Sequence, residues 1–81
     1  MIVPSRTFQK QFDRLDSEVQ QRVIEKVEEL DANLSAWQHE RLQGRREYKL
    51  RVGDWRVLYQ FGVPRNEVHL LAVRHRREVY R

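Results

Sequence analysis

The stretch YKLRVGDWRVLY, from Tyr48 to Tyr59, constrains the fold of this chain more than any other. Tyr48, Leu50 and Val52 alternate with Lys49 and Arg51, so an extended strand puts apolar side chains on one face and two cations on the other. Gly53-Asp54 then supplies a tight turn, because glycine accepts a positive φ and aspartate suits the second position. The return strand carries Trp55, Val57, Tyr59 and Phe61 on one face and Arg56, Leu58 and Gln60 on the other. With both apolar faces turned to one core, Lys49, Arg51 and Arg56 meet on the opposite, solvent-facing surface. Such a face either takes an anionic partner or is only solvated.

Charge along the chain bears on that choice. Residues 1–40 hold five Lys/Arg against eight Asp/Glu, whereas residues 41–81 hold eleven against four. Segregated positive charge is the footprint of a phosphate-binding surface, and on charge alone an arginine-rich solubilising face is the competing reading. A chain of 81 residues, 40% of them hydrophobic, can bury one modest core, so residues 1–81 are expected to form a single domain. The lack of cysteine excludes disulfides and thiol chemistry. Three scattered histidines without a spaced carboxylate partner argue against zinc, so neither metal nor cofactor is expected. No apolar run is long enough for a bilayer, and MIVPSRTF lacks a signal peptide's hydrophobic segment, which points to a cytoplasmic protein without membrane contact.

In chain order, Ile2-Val3 before Pro4 is a short strand, and Ser5 or Thr7 can cap a helix. Phe8, Phe12 and Leu15 give that helix one apolar stripe, which stops near Asp16. Ser17 to Gln20 has capping-box spacing, and the helix it opens buries a stripe of Val19, Val23, Val27, Leu30 and Leu34, with Ile24 widening it. Asn33 to Gly44 crosses to the hairpin, with Trp37 and Leu42 tacking it down and His39 read as a surface residue. Arg45 and Arg46 extend the positive surface at the entrance to the hairpin. A turn at Gly62–Asn66 leads into a third strand, Glu67 to about His75, apolar on both faces as a central strand should be. Its core side is expected to take Leu71 and Val73, leaving Arg74 on the open face, although register decides this and one sequence does not fix it. His75-Arg76-Arg77-Glu78-Val79-Tyr80-Arg81 closes the chain as a strand end or a short turn of helix. Cations beside an aromatic suit RNA, guanidinium for phosphate and ring for base. A disordered basic tail, with Tyr80 plugging the core, is the plainer alternative.

The pattern YKLRVGDWRVLYQF, then a short turn, a hydrophobic strand and HRREVY, resembles the RelE/ParE superfamily of small bacterial and archaeal toxins, its RelE-like branch in particular. FQKQFDRLDSEVQQRVIEKVEEL is similar to that family's helical hairpin, so the resemblance covers almost the whole chain. It implies an α+β fold, β-α-α-β-β-β, with two N-terminal helices packed on one face of a small, mainly antiparallel sheet. That agrees with the elements read from the residues.

The resemblance also implies an activity. RelE-like toxins cut mRNA in the ribosomal A site, whereas ParE-like toxins inhibit DNA gyrase and lack the basic catalytic set. The RelE-like set carried onto this chain is Lys49 and Arg51, Arg56, Arg74 or Arg76, and Tyr80, with Glu47 and His75 as further candidates for proton transfer. Arg45, Arg46, Arg77 and His75 would contact RNA. The expected protein is thus a metal-independent mRNA endonuclease, its alternatives being a gyrase inhibitor or a non-catalytic antitoxin-binding protein. In the expected reaction the ribose 2′-OH attacks the adjacent phosphorus, with Lys49 as general base and Arg56 stabilising the phosphorane. Arg74 or Arg76 would assist the leaving oxygen, and Tyr80 would stack on a base. Its partners would be mRNA, the ribosome and a cognate antitoxin, RelB-like or similar, whose binding segment is acidic because this half of the toxin is basic.

Overall fold

The structure is a computed structural model that describes residues 1–62 and 65–79. The chain runs β1 (Ile2–Pro4), α1 (Arg6–Asp13), α2 (Ser17–Ala32), β2 (Glu40–Arg41), β3 (Tyr48–Val52), β4 (Trp55–Gly62), β5 (Glu67–His75) and α3 (Arg76–Val79). Ser5 is the cap of α1, its Oγ accepting the Phe8 N–H at 3.1 Å. The capping box expected at Ser17 does not form. Asp16 is the N-cap of α2 and makes no side-chain bond, while Gln20 Nε2 donates to Phe12 O at 2.9 Å and ties the two helices together.

Both helices lie on one face of the sheet, as their apolar stripes require. Phe8 of α1 and Val23, Val27 and Leu30 of α2 share one core with Val57 and Tyr59 of β4. Leu34, two residues past the end of α2, belongs to it too, whereas Ile24, expected to widen the stripe, is 42% exposed and stays outside the core. The strand order is β1-β5-β4-β3-β2, parallel between β1 and β5 and antiparallel elsewhere. Gly53 turns the hairpin at φ +59°, the left-handed region that glycine reaches without a Cβ clash. The short β2 was expected as loop: Glu40 pairs with Lys49 and Arg41 with Tyr48. Of the turn expected at Gly62–Asn66, Val63 and Pro64 lie outside the described residues, and Asn66 takes φ 53°.

Strand β5 does not keep the alternation expected of it. Leu58 pairs with Ala72 but Tyr59 pairs with Leu70, so Leu71 is an extra residue and the strand bulges. Upstream of it Val68 and Leu70 face the helices; downstream Val73 does, with Ala72 and Arg74 on the open face. The core therefore takes Leu70 where Leu71 was expected, whereas Val73 and Arg74 fall as read. A second small cluster, Leu42, Leu58 and Ala72 with Val79 of α3 packed on it, covers part of the open face.

Candidate nucleic-acid interface

Register decides which cations meet. Arg51 lies opposite Arg56, and Arg56 opposite Arg74, so one row of arginines crosses β3, β4 and β5 on the open face. Strands sit about 4.8 Å apart, so the row spans roughly 10 Å, the scale of a short run of phosphates. Like charges directly opposite one another repel across a sheet. The next row holds Glu40, Lys49, Leu58 and Ala72.

Arg56 departs from the solvent-facing position expected of it. Only 8% of the residue is accessible, and its Nη1 donates to Gly53 O at 2.7 Å and Trp55 O at 2.8 Å. Its buried Nε has no partner among the described residues. The side chain folds back onto the hairpin turn because two carbonyls there offer acceptors that no carboxylate supplies. Arg56 thus adds positive charge to the row from beneath while bracing the Gly53-Asp54 turn.

Glu40 was not singled out in the sequence. Its Oε2 lies 3.1 Å from Arg51 Nη2 and 3.8 Å from Lys49 Nζ, so the cation pair of β3 closes around a carboxylate. The signal was absent because β2 is too short to show alternation, and the pairing of residue 40 with residue 49 is a tertiary fact. Glu47 stands apart, 3.8 Å from Arg45 Nε. Arg45 and Arg46 are exposed at the Tyr48 end of β3.

At the other end of β3, about 17 Å away for five residues of strand, Arg76 begins α3. Its N–H donates to Asp54 O at 2.8 Å and its Nε lies 3.8 Å from Asp54 Oδ1, so α3 is pinned to the hairpin turn. His75 sits edge-on to Trp55 with ring centroids 5.4 Å apart, and its Nδ1 accepts the Arg77 N–H at 3.3 Å. The structure thus brings Lys49, Arg51, Arg56, Arg74 and Arg76 onto one face and leaves Arg45 and Arg46 at its far end. Tyr80 lies outside the described residues.

His39 is no simple surface residue. It stacks on Phe61 at 3.8 Å and bonds through both ring nitrogens, to Tyr59 Oη and Leu34 O, on the helix side of the sheet. Among the described residues no group of three or more His, Asp or Glu is placed to hold a metal. Nor is any described helix long and apolar enough to cross a membrane.

Residues 2–80 match the family model described as ParE toxin of type II toxin-antitoxin system, parDE. The chain belongs to that family. It is the toxin component of a type II toxin–antitoxin system, and its fold is RelE-like. A chain of the RelB–RelE antitoxin–toxin complex from Methanococcus jannaschii superposes with a TM-score of 0.73 at 20% identity, covering 96% of this chain and 94% of that one. The isolated E. coli RelE toxin gives 0.77 at 19% identity, with 93% and 82% covered. The RelBE2 toxin–antitoxin complex of Mycobacterium tuberculosis gives 0.76 at 21%, with 93% and 95% covered. Identities this low speak for the shared fold alone. No protein of curated function matches the toxin significantly in sequence.

Proposed function

We propose that the toxin binds mRNA on the open face of its sheet and cleaves it on the ribosome, without a metal. The observation that carries this reading is the Arg51–Arg56–Arg74 row, with Lys49 and Arg76 beside it and the Glu40 carboxylate among them. Like charges opposed on three neighbouring strands lower their repulsion by gripping a polyanion.

Cleavage by the ribose 2′-OH needs in-line alignment, one proton removed, one returned, and charge on the phosphorus neutralised. Glu40 is the carboxylate in this set and takes the general-base role in this reading, with Lys49, 3.8 Å away, as its ion-pair partner. Lys49 and Arg51 would pass from Glu40 to the phosphate as substrate binds. Arg74 lies on the row to stabilise the phosphorane, Arg76 at its end to assist the leaving oxygen, and Arg56 strengthens the field from below. Tyr80, one residue past α3, is the base-stacking candidate. Arg45, Arg46, His75 and Arg77 would hold flanking RNA.

Primer extension on mRNA from cells expressing the toxin tests this, and cuts within translated codons are expected. A second reading has two observations behind it: the matching family is described as ParE, and the Glu40 carboxylate offsets part of the cation face. Under it the face grips DNA gyrase. Intact mRNA with broken DNA would decide for that reading. In either case the neutralising partner is a cognate antitoxin with an acidic segment that covers the open face, in keeping with the antitoxin–toxin complexes of the same fold.

A further inference from the structure

The strand that carries Glu40 is too short to hold itself. β2 has two residues at the edge of the sheet, and a ladder of that length is marginal without support from outside. It is pegged at both ends, on opposite faces. Leu42 is buried in the small cluster on the open face, and its N–H donates to Glu47 O at 2.9 Å. His39 enters the aromatic group on the helix face.

The hydrogen bonds of His39 settle its tautomer. Leu34 O can only accept, so Nε2 carries the proton and donates to it at 2.9 Å. In the neutral ring Nδ1 is then the acceptor, and the Tyr59 hydroxyl donates to it at 2.6 Å. Tyr59 is fully buried, and among the described residues its hydroxyl has no other partner. Burial above all, then the neighbouring Tyr48 and Glu40, raises the Tyr59 pKa, so the phenol keeps the proton it donates. The imidazole also stacks on Phe61 with rings 14° from parallel. Contacts to Leu34 O beyond the end of α2, to Tyr59 and Phe61 of β4 and, edge-on at 5.6 Å, to Tyr48 of β3 converge on the residue immediately before Glu40.

We propose that His39 is a positioning residue: by bridging Leu34 O and Tyr59 Oη it fixes β2 against β3 and thereby sets the Glu40 carboxylate between Lys49 and Arg51. Its catalytic consequence rests on the RNA-cleavage reading above; the placement of β2 does not. The bridge needs one donor and one acceptor in a flat group. His39→Gln keeps both, through Nε2 and Oε1, and loses the full ring. His39→Phe keeps the ring and loses both bonds, leaving the Tyr59 hydroxyl buried without a partner.

The test is backbone amide exchange by NMR on the wild type, His39→Gln, His39→Phe and Tyr59→Phe, joined to cleavage kinetics. Local opening should make the β2–β3 amides of His39→Phe and Tyr59→Phe exchange about tenfold faster or more, with β4–β5 unchanged and His39→Gln within about threefold of wild type. Cleavage by His39→Phe should lose about tenfold in kcat with KM nearly unchanged, because an acting base is misplaced while phosphate contacts remain, and His39→Gln should recover most of it. Equal protection of β2 in wild type and Tyr59→Phe would overturn the proposal, as would a His39→Gln variant as impaired as His39→Phe. A wild type that leaves RNA intact would overturn the cleavage reading instead, and the exchange comparison would still decide the role of His39.

Discussion

The side-chain oxygen of Gln11 accepts the backbone N–H of Val73 at 2.9 Å, across 62 residues of sequence and beside the bulge in β5. A bulge breaks the ladder and leaves backbone groups without strand partners. Helix α1 and its cap supply the replacements, Gln11 for the Val73 N–H and Ser5, whose Oγ donates to Leu71 O at 3.1 Å. Gln11→Ala should therefore cost about 1–3 kcal/mol, the usual penalty for an orphaned buried donor. Urea unfolding measures it as a lower midpoint at unchanged slope.

Arg56 and Arg51 face one another yet should behave differently. Arg56→Ala strips two bonds from a side chain that is 8% exposed and should destabilise by about 1–3 kcal/mol while also weakening toxicity. Arg51→Ala, at an exposed site, should stay within about 0.5 kcal/mol and lose toxicity alone. Thermal melts beside toxicity assays separate the two.

Val27 is 3% exposed in the main core, and Val27→Asp would bury a carboxylate with nothing to pair it. Loss of folded protein, and of toxicity with it, is the expected result. A soluble Val27→Asp protein with a native circular dichroism spectrum would mean that α2 turns another face to the sheet.

Tyr59 makes stability fall in alkali. Its pKa in the fold lies above the ordinary 10.0, chiefly through burial, so between those values the folded state holds a proton that the unfolded state releases. The contribution is complete below about pH 10 and is lost as pH rises beyond it. Chemical unfolding across that range should show a declining stability for wild type and a flatter one for Tyr59→Phe.

Antitoxin association should depend on salt more than dissociation does. Charge complementarity with the basic half speeds encounter and is screened by ions, whereas apolar anchors at the contact are not. Stopped-flow titration with the protein encoded beside the toxin, at low and high salt, should show the association rate falling the more steeply. A rate indifferent to salt would place the antitoxin off the cationic face.

The two helices, the hairpin and the third long strand could be read from residues because each has a period: Phe8 and Phe12, Val23 and Val27, Tyr48 and Leu50. The positions of Leu70 and Leu71 could not, since a bulge resets the period within a strand that is apolar on both sides. Three members of the site, Lys49, Arg51 and Arg74, were visible as cations opposite apolar neighbours. Glu40 and His39 were not, because they sit in a segment with no period and gain their meaning from Lys49, Arg51 and Tyr59, all distant in sequence. Arg56 had the right face but the wrong exposure: a row position says where a side chain starts and nothing of where it folds.

The parallel pairing of β1 with β5, Ile2 beside Val68, has a consequence in time. A nascent chain emerges at about 5–20 residues per second with its N-terminal end leading, and contacts of large sequence separation form late. β1 must wait, unpaired, until β5 has followed it out, and the same strand delivers Arg74 to the row and the Val73 N–H to Gln11. Until then Arg51 and Arg56 face no third arginine and α1 has no bulge to dock on. On the proposed reading, the growing chain is harmless to the ribosome that makes it, and the antitoxin gains that interval to arrive first.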